Sequence, residues 1–61
     1  MTVREVIRLI EADGWVQVRQ RGSHRQFKHD YKPGLVTVAG NLKQEIAPKT
    51  LKSIYRQAGL R

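Results

Sequence analysis

The sequence predicts an α+β fold: a two-layer α-β-β-β-α domain in which a three-stranded antiparallel sheet carries both helices on one face. Three observations predict it. Apolar residues recur at helical spacing at both ends of the chain, two-residue alternation fills the middle, and glycine-bearing turns separate the alternating runs. The 61 residues are expected to form a single domain over 1–61. A chain of that size hides only roughly 60% of the surface its unfolded form exposes, so the core must be small.

The elements follow in order. Thr2 and Glu5 have the spacing of a capping box, and Val3, Val6, Ile7 and Ile10 mark one face of a helix that ends near Asp13-Gly14. "WVQVRQ", residues 15–20, alternates, with Val16 and Val18 on one side and Trp15, Gln17 and Arg19 on the other. "RGS" is a tight turn. "HRQFKH", residues 24–29, is the returning strand, with Phe27 sharing a side with Arg25 and His29, and His24, Gln26 and Lys28 on the other. Lys32-Pro33-Gly34 turns the chain into a β-branched strand from about Leu35 to Ala39. Pro48 suits the first turn of the last helix, whose apolar face is Leu51, Ile54, Tyr55 and Ala58 and which Gly59 closes. The helices are expected to cover Val16, Val18, Phe27, Val36 and Val38. His24, Gln26 and Lys28 then remain on the open face. Trp15 is expected either to pack at the sheet edge or to stack on unpaired bases, while Tyr31 and Tyr55 close the ends of the core.

Twelve lysines and arginines against five acids give a formal charge of +7, which favours a polyanionic or acidic partner. The excess is concentrated. Between residues 19 and 32 stand Arg19, Arg21, Arg25, Lys28 and Lys32, with Asp30 as the single acid. Cysteine is absent, so neither a disulfide nor a thiolate zinc site is available, and a reducing, cytoplasmic setting is expected. The opening "MTVREVIRLI" carries Arg4, Glu5 and Arg8 inside its apolar pattern, unlike a signal peptide or a membrane span. No membrane partner is expected.

The chemistry on offer is narrow. Asp13 and Asp30 fall in turns, Glu45 stands alone and the two histidines diverge, so no metal-ligand set is legible and no cofactor is expected. GxxxxGK[ST] and GxGxxG loops are absent. Ser23 and His24 are adjacent and project oppositely from a strand, which disfavours a Ser-His nucleophile. His24 is the candidate catalytic residue, because imidazole exchanges protons near neutrality. RNA supplies its own nucleophile: a base that frees the 2′-hydroxyl, with cations to stabilise the phosphorane, is enough to cleave it. Arg21, Arg25, Lys28 and Lys32, with the Gly22-Ser23 turn, are the candidate RNA-binding residues. Two readings of His24 remain open on these grounds: a proton-transfer catalyst, or an inert surface residue in a phosphate-binding turn. His29, beside Asp30, is expected to be held by it.

An N-terminal helix ending in "EADGW", then "RGSHRQFKH", "KPGLVTV" and "TLKSIYRQAGL", together resemble the HicA family, the small ribonuclease toxins of toxin–antitoxin systems. The resemblance spans nearly the whole chain. It implies a double-stranded-RNA-binding-domain-like fold and mRNA cleavage by His24 without a metal. It also implies a turn shaped by Gly22 and Ser23, single-stranded mRNA as substrate, and a HicB-type antitoxin as protein partner. Two departures stand out. Many members follow the V-T-V strand with Pro and a further His, where this chain has Ala39-Gly40-Asn41, and Lys49 replaces a glycine often found before the Thr-Leu of the last helix. The alternatives are a non-catalytic double-stranded-RNA-binding module, which the same fold and charge would serve, and a chain left only with antitoxin binding.

Overall fold

The computed structural model describes residues 1–60. The first helix, α1, runs Val3–Ala12 and is opened by a complete capping box: the Thr2 hydroxyl accepts the Glu5 N–H at 3.2 Å, and the Glu5 carboxylate accepts the Thr2 N–H at 2.8 Å. Three strands follow, β1 (Val16–Arg21), β2 (His24–Lys28) and β3 (Val36–Val38), and the chain closes with α2 (Pro48–Gln57). The sheet is antiparallel in the order β1-β2-β3. β2 and β3 are both shorter than the alternation predicts. His29 falls just past β2, and Leu35 and Ala39 lie outside β3.

Gly22 and Ser23 form the two-residue connection between β1 and β2. Gly22 has φ 59° and, among the described residues, no non-glycine residue has a positive φ, which is the pattern of a type II′ turn whose twist suits a hairpin. Arg25, on the helix side of β2, braces it: the guanidinium donates to the Ser23 carbonyl at 3.3 Å and the Gly40 carbonyl at 2.9 Å. The turn is thereby tied to the segment after β3.

The core consists of Val3, Val6 and Ile10 from α1, Trp15, Phe27 from β2, Val36 and Val38 from β3, and Ile54 and Ala58 from the C-terminal helical segment. Two expected members are missing. Val16 and Val18 are 62% and 54% exposed, and Trp15, from the side expected to be open, is buried. The reason is a β-bulge. Val16 opposes Lys28, Gln17 opposes Phe27 and Arg19 opposes Gln26, so Val18 is an extra residue with no partner in β2. One extra residue resets the parity of the strand. Val16, Arg19 and Arg21 all share the open face with His24, Gln26 and Lys28.

A polar knot closes the end of the core that Tyr31, 92% exposed, was expected to cover. His29 Nε2 meets the Asp13 carbonyl at 2.7 Å, while its Nδ1 accepts the backbone N–H groups of Tyr31 at 3.0 Å and Lys32 at 3.2 Å. Asp13, not Asp30, is therefore its partner. The ring sits edge-on to Trp15, 5.3 Å between centroids, and against Gly14, where a Cβ would come within 2.7 Å of Nε2. Lys32 completes the knot, donating to the Asp13 carboxylate at 2.5 Å and the Ala58 carbonyl at 3.1 Å. This hydrogen-bonded ammonium holds the Asp13 carboxyl below its ordinary pKa, against an opposing effect of partial burial.

Candidate functional site

On the open face, a pocket of about 310 Å³ is lined by Arg19, Arg21, His24, Gln26 and Thr37. The register explains why these five meet. Arg21 opposes His24 next to the turn, and one step along the sheet Arg19, Gln26 and Thr37 face each other across all three strands. Phe27 in the core forces Gln26 outward by strand alternation, and Val36 and Val38 do the same for Thr37. The bulge brings Arg19 to this side.

Two guanidiniums and no acid line the pocket, so it favours an anion. A fixed fork of donors on each arginine suits phosphate. His24 is exposed at the mouth of the hairpin, with its ring free to meet a ligand proton. None of the five lining side chains hydrogen-bonds another side chain or the backbone among the described residues. Their hydrogen-bonding capacity is unspent.

Of the residues singled out in the sequence, the structure brings Arg21 and His24 together, with Gly22 and Ser23 forming the turn between them. Lys28 lies on the same face beyond Gln26, paired with Val16. Arg25 and Lys32 are elsewhere, one bracing the turn from the helix side and the other inside the polar knot. Arg19 and Thr37 were not singled out as site residues. Thr37 was legible as the outward residue of V-T-V, and alternation already set Arg19 on the side away from the valines. What alternation does not announce is the bulge that leaves Arg19 on the open face while Trp15 enters the core and Val16 faces out. Trp15 is buried and unavailable to stack on a base.

Residues 3–60 match the family model described as HicA toxin of bacterial toxin-antitoxin. Among solved structures, the chain is similar to one in a toxin-antitoxin complex from Streptococcus pneumoniae, with 33% identity over 98% of each chain and a TM-score of 0.78. No curated protein matches it.

Proposed function

From the chain's membership of the HicA toxin family, we propose that it is a metal-independent endoribonuclease toxin that cleaves single-stranded mRNA in the cytoplasm and is neutralised by a HicB-type antitoxin. The observation that carries this reading is the pairing of His24 with Arg21 at the turn end of a pocket lined by arginines and free of acids. His24 takes the proton of a 2′-hydroxyl. The 2′-oxygen attacks the adjacent phosphorus, the bond from phosphorus to the 5′-oxygen breaks, and the imidazolium returns the proton to that leaving oxygen. The products are a 2′,3′-cyclic phosphate and a 5′-hydroxyl.

Arg21 and Arg19 stabilise the extra negative charge of the phosphorane, while Gly22 and Ser23 keep the turn slim enough for the RNA backbone to approach. Lys28 extends the cationic path along β2. Arg25 acts at one remove, by fixing the turn that presents His24.

End-labelled single-stranded RNA incubated in EDTA with the chain, beside His24→Ala, tests the reading. Cleavage by the parent alone, leaving cyclic phosphate ends, supports it. Binding without cleavage by both would leave the non-catalytic RNA-binding module. RNA affinity is also expected to fall steeply with salt, in proportion to the phosphates contacted. A flat salt response would remove the phosphate role of Arg19, Arg21 and Lys28.

A further inference from the structure

The chain has five glutamines, at 17, 20, 26, 44 and 57. Four of them use their amides within the protein. Gln17 and Gln20 bond each other, and Gln20 also donates to the Gly22 carbonyl. Gln44 accepts the Asn41 N–H, and Gln57 accepts the Thr37 N–H while donating to Ser53. Gln26 is the exception. It is half-buried in the centre of the sheet, yet its amide bonds nothing among the described residues.

Thr37, directly opposite on β3, repeats the pattern: it is half-buried and its hydroxyl bonds nothing among the described residues, although its backbone N–H is satisfied. The side-chain polar atoms of Gln26 and Thr37 are not among the buried unpaired ones, so they reach solvent and stand available to a ligand that replaces water. Here a two-donor, one-acceptor amide and a hydroxyl lie side by side in one pocket, beside the guanidinium plane of Arg19.

We propose that the Arg19–Gln26–Thr37 row is a nucleobase-binding subsite that gives the chain its sequence preference. Phosphate has no use for an amide carbonyl, since both are acceptors. A base edge presents donors and acceptors together, and a glutamine amide engages such an edge in bidentate fashion. Arg19 stacks its guanidinium on the face of the base, the role aromatic rings fill in other single-stranded RNA sites. The buried Trp15 cannot fill it here. The adjacent Arg21–His24 pair then meets the phosphate next to the recognised base. This inference rests on RNA binding at the pocket, and it assigns to Gln26 and Thr37 the choice of base rather than the chemistry.

The test uses labelled eight-nucleotide oligo(A), oligo(C) and oligo(U) RNA and fluorescence anisotropy, with every chain carrying His24→Ala to suppress cleavage. The single variant is expected to prefer one homopolymer by at least about fivefold, the lower end of discrimination by a bidentate amide. Adding Gln26→Ala should compress that preference to within about twofold, with an unchanged salt slope and an unchanged melt. Gln26→Glu, which replaces the donor with an acceptor, should change which homopolymer binds best, something a purely structural glutamine would not do. Equal binding of all three RNAs by the single variant, absence of binding, or a preference that survives both Gln26 variants overturns the proposal. Cleavage by the His24-bearing chain is scored separately. Base preference without cleavage would sink the nuclease reading and keep the subsite, and cleavage without base preference would do the reverse.

Discussion

Two faces of one sheet, separated by a single peptide unit, have opposite chemistry. Phe27 is completely buried under the helices, and its neighbour Gln26 faces a pocket with an amide that bonds nothing. On the covered face and at its rim, the charged and imidazole side chains are engaged: Arg25 braces the turn, and Asp13, His29 and Lys32 join three segments of chain. On the open face they are held in reserve. The difference teaches that β2 is both beam and workbench, and that stability and function can be altered independently at adjacent residues.

The largest effect that would sharpen this division belongs to Phe27→Ala. Losing a buried aromatic costs about 3–5 kcal/mol, while a domain this small has roughly 0.05–0.15 kcal/mol of stability per residue. Chemical denaturation should find the variant largely unfolded, and a normal cooperative transition would contradict the assignment of that face as the core. His24→Ala comes next, with a melt like the parent's and a fall in RNA cleavage of about 10²–10⁴-fold. It should also abolish growth arrest while antitoxin binding survives. Loss of folding instead would erase the separation of faces.

The polar knot provides a smaller, pH-dependent contrast. The folded-state pKa of Asp13 lies below the ordinary 3.8. Its contribution to stability is therefore fully present above about pH 3.8 and is lost as pH falls through the depressed value. Thermal melts between pH 5 and 2 should show the parent losing more stability on acidification than Asp13→Asn, and parallel curves would remove the knot's role. The smallest effect is expected at Val16→Thr. This side chain is 62% exposed, and the change should move stability by no more than about 0.5 kcal/mol. A larger loss would mean that the open face contributes to folding.

Much of the architecture was legible because local rules agreed with the tertiary fold. The capping box, the Gly22-Ser23 turn, the outward set of His24, Gln26 and Lys28, and the apolar faces of both helices all appear as read. β1 was misread in its facing because period-two alternation assumes no bulge. "WVQV" has apolar residues in both phases, and the bulky Trp15 took the core in place of the valines. Lys32 looked like one more phosphate ligand in a basic run, and nothing local in the sequence announces an ion pair with Asp13, nineteen positions away. Arg21 and His24 needed only hairpin geometry to be paired. Arg19, Gln26 and Thr37 needed the register of three strands before they became a row.

The bulge also governs which changes of chain length β1 can absorb. Val18 is the residue with no opposite number, so deleting it leaves Gln17 facing Phe27 and Arg19 facing Gln26, with every other side chain on its present side. Removing Gln20 instead would place Arg21 directly after Arg19 and turn one of the two arginines away from His24. An in-frame loss of one codon is thus tolerable for the facing of this strand at Val18 and damaging two positions later. In a lineage of such proteins, insertions and deletions within this hairpin should accumulate at the bulge.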